Sequence, residues 1–149
     1  MEIEEIDNLL NVNFKSSYIL TSLAIQGMKQ KKWGRIINIG SISGILGEAN
    51  ATLYSATKSA FLGFSKALAL EVASDNITIN TINPGWVETP LADNALNEEE
   101  HQEIIDITPQ KRFVEPIEVA KLCEYLISDS AKGITGQGIN LCAGLTCGC

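Results

Sequence analysis

Residues 3–32 carry apolar side chains at the spacing of one long helix. Steps of three and four residues place these side chains on a common face, and the segment "KQKK" suits the C-terminal end of a helix dipole. Gly34 then ends the predicted helix. Its apolar face consists of Ile6, Leu9, Leu10, Phe14, Tyr18, Ile19, Leu23 and Met28.

Three short runs further along the chain predict β-strands. "RIINIGS" lacks polar alternation, as is typical of a buried parallel strand. "NITINTINPG" alternates isoleucine with polar residues and stops at Pro84 and Gly85, and "GQGINLCAG" is a short closing strand. Helices are predicted over residues 52–74 and 116–128. Residues 86–115 predict a loop carrying a polar helix around "NEEEHQEIID".

The alternation of helices and strands predicts an α/β fold with a parallel sheet covered on both faces. Strands joined by helices of this length form right-handed parallel crossovers. Three strands make a narrow sheet, and its first edge would expose the isoleucine-rich strand "RIINIG". Because an exposed hydrophobic edge promotes aggregation, the pattern indicates that a neighbouring strand is missing there.

Composition limits the classes of partner. The 149 residues are 45% hydrophobic, which is normal for a single globular domain, here residues 1–149. A net charge of −7 disfavours nucleic acid and anionic membranes as partners. No apolar run is long enough to span a bilayer, and the acidic start "MEIEEIDNLL" is unlike a secretory signal. We therefore expect a cytoplasmic protein.

The cysteines and the single histidine give no strong metal signal. Three of the four cysteines, Cys142, Cys147 and Cys149, lie in "CAGLTCGC", far in sequence from His101. Reduced thiols fit a cytosolic protein better than a zinc site, and a disulfide would need an oxidising compartment. We predict no metal site and interpret His101 as a surface residue.

Tyr54 and Lys58 form the first candidate site. In a helix, residues four positions apart lie on the same face, one turn from each other. A nearby ammonium and the positive helix N-terminus both favour the phenolate, so such a tyrosine could exchange a proton near neutral pH. The alternative is that Tyr54 packs and Lys58 is solvated. Y-x-x-x-K alone is too common to decide between these readings.

Two strand ends strengthen the catalytic interpretation. Ser41 ends one predicted parallel strand and "NPG" ends the next, so both belong at the carboxyl edge of the sheet. The start of the helix that carries Tyr54 reaches the same edge. Ligand clefts of α/β proteins lie there.

Five segments in this order resemble the short-chain dehydrogenases/reductases. They are "NVNFKSSYILTSLAIQGM", "GRIINIGSISG", "YSATKSAFLGFSKALALEV", "ITINTINPGWVETPL" and "ITGQGINLCAG". Ser41 precedes Tyr54 by the family's typical gap of 13 residues. The resemblance implies the C-terminal part of a Rossmann-type doubly wound sheet, with three strands and about four helices.

The resemblance also implies roles for single residues. Tyr54 would be the proton donor to a ketone, Lys58 would lower the pKa of Tyr54 and bond the nicotinamide ribose, and Ser41 would polarise the substrate oxygen. The alternative for Ser41 is a strand-end serine that bonds backbone. Asn13 would distort the first helix and anchor a water beside Lys58, unless it is simply solvated on the helix surface. The remaining implied contacts are Pro84, Gly85, Val87 and Thr89 to the nicotinamide and Trp86 to the substrate, with packing as an equal alternative for Trp86.

The family's glycine-rich cofactor turn, T-G-x-x-x-G-x-G, does not occur in these 149 residues, and neither does N-N-A-G. The sequence therefore predicts a chain without the N-terminal glycine-rich half, which binds NAD or NADP weakly or not at all by itself. The family's D-G-G is replaced by Cys142, Ala143 and Gly144. A small-residue stripe on the second long helix allows close helix pairing, or packing within one chain, so a homodimer or homotetramer is expected of a complete protein.

Two functions remain open at this stage. The first is an NAD(P)-dependent oxidoreductase acting on a small carbonyl or acyl-carrier substrate, in the manner of a 3-oxoacyl carrier-protein reductase. That step is an analogy at the level of the family. The second is a catalytically silent homologue that acts as an assembly partner. The presence of Asn13, Ser41, Tyr54 and Lys58 favours the enzyme.

Overall fold

A computed structural model describes residues 2–147 of the chain. Its centre is a three-stranded sheet in the order β1 (Gly34–Ile39), β2 (Ile77–Pro84) and β3 (Gly138–Leu141). Both strand pairs are parallel, with Gly34 opposite Ile77 and Thr81 opposite Gly138. The helices are α1 (Ile3–Leu10), α2 (Ser16–Lys31), α3 (Ser43–Leu46), α4 (Thr52–Val72), α5 (Pro90–Ala95), α6 (Glu98–Ile107) and α7 (Pro116–Ile127).

The predicted α/β class with a parallel sheet is confirmed, and the helices differ from the prediction in two respects. The first long helix is interrupted by a π-helical segment, Asn11–Lys15, between α1 and α2. The short helices α3 and α5 were not predicted, because segments of four and six residues show no helical period. The assignment of residues 1–149 to one partial domain stays a prediction.

Hydrophobic clusters cover both faces of the sheet. On one face Ile25 of α2 and Val72 of α4 pack with Ile77 and Ile79 of β2. On the other face Ile82 of β2 packs against Leu126 of α7. Each fully buried isoleucine or leucine contributes roughly 1.5–3 kcal/mol to stability. Because β2 lies in the middle, its strand end is the most firmly fixed part of the carboxyl edge.

A buried polar network fixes α4 on the sheet. Asn38 of β1 donates to the hydroxyl of Ser65 on α4 at 3.1 Å, and Ser65 bonds the hydroxyl of Thr81 on β2 at 2.9 Å. Buried polar groups that satisfy one another in this way define one arrangement of the elements that carry them. The network sets the position of α4 and therefore of Tyr54 and Lys58 near its start.

The outer edge of β1 pairs with no other strand of residues 2–147, as the sequence predicted. Gly40 donates to the carbonyl of Ile82 on β2, so Ile39, the preceding residue, directs its backbone groups away from β2. Ile39 as a whole is 45% exposed. Its carbonyl accepts a hydrogen bond from Lys58 Nζ at 3.0 Å. A side chain of the candidate site thus satisfies one acceptor of the open edge.

Candidate active site

A cleft of about 830 Å³ opens at the carboxyl edge of the sheet. Its walls come from the loop after β1, the first turns of α4, the loop after β2, α5 and Ile107 at the end of α6. Glu48 and Lys58 are the charged residues that line it. Of the residues predicted from sequence, the cleft is lined by Ser41, Tyr54, Lys58, Pro84, Gly85, Trp86, Val87 and Thr89.

One side of the cleft, which we call the polar wall, consists of residues 41–48 with Tyr54 and Lys58. Ser41 follows the end of β1, and its hydroxyl donates to Ser43 Oγ at 3.0 Å. The backbone N–H of Ser43 donates back to Ser41 Oγ at 3.1 Å. Ser43 Oγ in turn donates to a carboxylate oxygen of Glu48 at 2.7 Å. The hydroxyl of Ser41 is therefore the inner end of a chain of hydrogen bonds that ends at an exposed carboxylate.

Tyr54 and Lys58 lie one turn apart on α4, and both face the cleft. Lys58 Nζ lies 5.6 Å from the centre of the Tyr54 ring. Burial disfavours the ammonium and lowers the pKa of Lys58 below its ordinary value of 10.5. A cationic side chain at this distance can stabilise negative charge that develops on the phenol.

Asn13 lies in the π-helical segment rather than in the main cleft. It lines an adjoining pocket of about 320 Å³ together with Ile39 and Lys58, which line both cavities. Asn13 Nδ2 donates to Thr57 Oγ1 at 3.4 Å, and Thr57 Oγ1 donates to the carbonyl of Tyr54 at 2.7 Å. Single π turns inside α-helices are frequent at functional sites. Asn13 is thus joined to the turn of α4 that carries Tyr54.

The other part of the lining, which we call the apolar wall, consists of residues 84–89 with α5 and Ile107. It joins the polar wall where Ile42 N donates to the carbonyl of Pro84 at 3.0 Å. Its loop is held by backbone pairing: Val114 N donates to the carbonyl of Trp86 at 2.8 Å, and Glu88 N donates to the carbonyl of Val114 at 2.9 Å. Thr89 caps α5 by accepting from Ala92 N at 3.3 Å. Pro84, Gly85 and Val87 present a surface without charged groups.

A glycine permits close packing in each wall. A Cβ at Gly44 would lie 2.7 Å from backbone atoms of both Lys58 and Ser59, so α3 lies directly on α4. A Cβ at Gly85 would lie 3.0 Å from Cα and Cβ of Cys142. Gly85 N also donates to the carbonyl of Leu141 on β3 at 2.9 Å. The two walls are therefore anchored to different elements, α4 and β3.

Sequence reasoning missed several lining residues. Ser43 and Glu48 had a usable signal: Ser43 repeats the hydroxyl two positions after Ser41, and Glu48 is the one acidic residue between Ser41 and Tyr54. Leu91, Ile107 and Leu145 had none, because an apolar side chain in a variable loop looks the same whether it faces a cleft or solvent.

His101 and the cysteines lie outside the cleft lining. His101, which was predicted to be a surface residue, is partly exposed, and its ring centre lies 4.3 Å from that of Phe113. Cys123, Cys142 and Cys147 are free thiols, and Cys149 lies outside the described residues. Within residues 2–147, no three His, Cys, Asp or Glu side chains are placed to share a metal ion.

No helix in this part of the chain has the length and apolar character needed to cross a bilayer.

Comparison with known proteins decides the family. A family model described as enoyl-(acyl carrier protein) reductase matches residues 1–146. The chain belongs to the short-chain dehydrogenase/reductase family, which confirms the resemblance drawn from its motifs. A curated member, 3-oxoacyl-[acyl-carrier-protein] reductase FabG of Rickettsia conorii, is 39% identical over 145 residues, which are 97% of this chain and 60% of that protein.

Solved members of the short-chain dehydrogenase/reductase family share the fold. A 3-oxoacyl-[acyl-carrier protein] reductase from Brucella melitensis matches with a TM-score of 0.93 and 31% identity, over 97% of this chain and 54% of that one. A variant of actinorhodin polyketide ketoreductase with NADPH matches with a TM-score of 0.93 and 36% identity. The match covers 97% of this chain and 60% of that one. The chain thus spans a little more than half the length of these relatives.

Proposed function

We propose that the protein is an NAD(P)-dependent oxidoreductase that interconverts a carbonyl and a secondary alcohol, with a 3-oxoacyl thioester as substrate. One observation carries the proposal: Ser41, Tyr54 and Lys58 line the same cleft as the apolar surface of Pro84, Gly85 and Val87. The names of the relatives support the substrate class, since they include 3-oxoacyl carrier-protein reductases.

The apolar wall suits a nicotinamide ring. Pro84, Gly85 and Val87 offer a surface free of charged side chains, and Lys58 offers an ammonium in the same cleft. One relative's structure holds NADPH. The nicotinamide supplies the hydride when it is bound. Val87 and Pro84 would pack along the ring, Thr89 would bond its carboxamide and Lys58 the ribose.

Each residue of the polar wall has a part in the proton chemistry. Ser41 would donate its hydroxyl hydrogen to the substrate carbonyl oxygen and hold that oxygen toward Tyr54. The hydroxyl of Tyr54 would transfer a proton to the oxygen, or accept one in the reverse reaction. Lys58, 5.6 Å from the ring centre, would stabilise the phenolate that results. Asn13 would hold water in the adjoining pocket, from which protons reach Lys58, and Trp86 would contact the substrate.

The experiment has two arms. In the first, the chain is titrated with NADPH while nicotinamide fluorescence is followed. We expect weak binding, because these 149 residues contain no glycine-rich turn to hold the pyrophosphate. Micromolar affinity would contradict this expectation.

In the second arm, residues 2–147 are joined to the N-terminal part of the Rickettsia conorii relative. NADPH oxidation is then measured with acetoacetyl thioester. We expect turnover that Tyr54→Phe abolishes. Equal turnover in the joined protein and in its Tyr54→Phe variant would show that Tyr54 is not the proton donor.

A second candidate is an assembly partner without catalysis of its own. The open outer edge of β1 favours it, because the exposed Ile39 and its neighbours offer an unpaired strand to another chain. Mixing the chain with a complete relative and measuring mass by light scattering tests this candidate. A homodimer or homotetramer of the whole protein and a cytoplasmic location stay predictions alongside both candidates.

A further inference from the structure

The hydrogen-bond chain of the polar wall has a direction that follows from counting hydrogens. The hydroxyl of Ser43 has one hydrogen, and it goes to Glu48 Oε2 at 2.7 Å. A carboxylate accepts and does not donate, so Ser43 has no hydrogen left for Ser41. The 3.0 Å bond between the two serines must therefore use the hydrogen of Ser41.

This direction competes with the role of Ser41 in the proposed function. To polarise a carbonyl oxygen, Ser41 must point its hydrogen into the cleft. While Glu48 holds Ser43, that hydrogen is directed away from the cleft, toward Ser43. The backbone N–H of Ser43 also donates to Ser41 Oγ at 3.1 Å, so it holds Ser41 in place in either state.

We propose that Glu48 is a positioning residue that, through Ser43, makes the Ser41 hydroxyl donate away from the cleft until a carbonyl ligand competes for its hydrogen. The use of Ser41 by a carbonyl rests on the proposed function. The direction of the hydroxyl does not. Glu48 thus weakens carbonyl binding by one hydrogen bond that must first be broken.

Removal of the Glu48 carboxylate frees the hydroxyls of Ser43 and Ser41 to change the direction of their hydrogen bonds. In Glu48→Ala, Ser43 can turn its hydrogen to Ser41 Oγ, and the hydrogen of Ser41 is then free for the cleft. A net hydrogen bond is typically worth 0.5–1.5 kcal/mol, so a carbonyl ligand should bind roughly twofold to tenfold more tightly. Glu48→Gln keeps an uncharged acceptor oxygen and should bind the ligand as the natural chain does.

The pair of variants separates hydrogen-bond direction from charge. If Glu48 acted only by its negative charge, Glu48→Gln and Glu48→Ala would have the same effect. Glu88→Ala is the matched control, since it removes the same charge from an exposed carboxylate that does not line the cleft. In a Ser41→Ala background, Glu48→Ala should lose its effect on affinity, which a general rearrangement of the loop would not do.

The experiment uses the full chain and two readouts. The first is NMR of the serine Cβ resonances without ligand: we expect those of Ser41 and Ser43 to move in Glu48→Ala and to stay in Glu48→Gln and Glu88→Ala. The second is titration with the acetoacetyl thioester of N-acetylcysteamine. An unmoved Ser41 resonance in Glu48→Ala, or thioester binding that is measurable and equally tight in Glu48→Gln and Glu48→Ala, overturns the positioning role.

The two readouts distinguish this inference from the proposed function. If the resonances move as expected and the chain joined to its relative does not turn over the thioester, Glu48 positions Ser41 and the carbonyl function is wrong. If the thioester binds equally in all variants and the resonances do not move, the carbonyl function stands and the role of Glu48 is overturned.

Discussion

The two walls of the cleft place their side chains by different means. In the polar wall, side-chain hydrogen bonds fix the groups: Ser41 to Ser43, Ser43 to Glu48, and Lys58 to the carbonyl of Ile39. In the apolar wall, backbone pairing of Trp86 and Glu88 with Val114 fixes a loop whose side chains mostly pack. The polar wall is therefore suited to chemistry and the apolar wall to shape. Single substitutions can separate these two contributions.

The largest effect is expected from Tyr54→Phe in the polar wall. The change removes one hydroxyl and keeps the ring beside Lys58, so the proposed proton donor is lost while the wall stays packed. General acid catalysis typically contributes 10²- to 10⁴-fold, so we expect kcat to fall by roughly that factor. NADPH oxidation with acetoacetyl thioester is measured in the protein that joins residues 2–147 to the N-terminal part of the Rickettsia conorii relative. If the kcat of Tyr54→Phe stays within a few-fold of that of the protein that keeps Tyr54, another group must donate the proton.

The next effect concerns the glycines that let each wall pack. Gly44→Ala places a Cβ 2.7 Å from backbone atoms of α4, and these cannot move aside as a flexible side chain can. Overpacking of this kind typically costs about 1–3 kcal/mol of unfolding free energy. Gly85→Ala meets Cys142 at 3.0 Å, a milder contact, so the apolar wall should lose less.

Urea unfolding of the chain measures both losses. Gly63→Ala on α4 is the matched control, since a Cβ there meets nothing within 4 Å. It should be neutral or stabilising by up to about 1 kcal/mol, because alanine favours helix over glycine. Equal losses in Gly44→Ala and Gly85→Ala would show that the two walls do not differ in tightness.

A smaller effect is expected from Trp86→Ala in the apolar wall. Trp86 lines the cleft and its ring centre lies 6.1 Å from that of Phe113. Loss of its apolar surface should raise KM for the thioester about tenfold, equal to about 1.4 kcal/mol, and leave kcat within about threefold. Trp33→Ala is the control, because Trp33 lies outside the cleft lining. A fall in kcat with unchanged KM would show that Trp86 contributes to the chemical step rather than to substrate binding.

The sequence could predict the strands, the long helices and most of the cleft because these depend on local signals. Isoleucine-rich runs and the endings "GS" and "NPG" locate β1 and β2, and parallel strands bring their ends to one edge. β2 shows the limit of such patterns. Its alternating threonines and asparagines suggest a solvent face, yet all eight positions are buried. The partners that satisfy Thr81 and Asn80 lie in α4 and in the segment before β3, which a local pattern cannot reveal.

The parts that could not be predicted depend on contacts between distant segments or on very short helices. Asn13 could be selected from "NVN", but its bond to Thr57 requires the packing of the π-helical segment on α4. The role of Glu48 requires the turn of α3, which brings its carboxylate back to Ser43. Each wall combines both kinds of residue: motifs mark Tyr54 and Pro84, whereas Glu48 and Ile107 join the walls only through the fold.

The smallest effect is a pH dependence that Lys58 gives to the polar wall. Burial lowers the pKa of Lys58 in the folded chain below the 10.5 of the exposed side chain. Between these two values the unfolded chain binds more protons than the folded chain, so the free energy of unfolding rises with pH in that window. The partly buried ammonium thus costs stability at lower pH, and the cost disappears as the pH approaches 10.5.

Lys58→Met should remove this rise, while Lys66→Met, which changes an exposed lysine on the same helix, should keep it. Urea unfolding of the natural chain and the two variants over an alkaline pH series gives the slope of the free energy of unfolding against pH. Cys123 contributes in the opposite direction, because burial raises the pKa of its thiol, but it does so equally in all three. Parallel curves for Lys58→Met and the natural chain would mean that Lys58 is solvated. Its ammonium would then be screened by water from Tyr54.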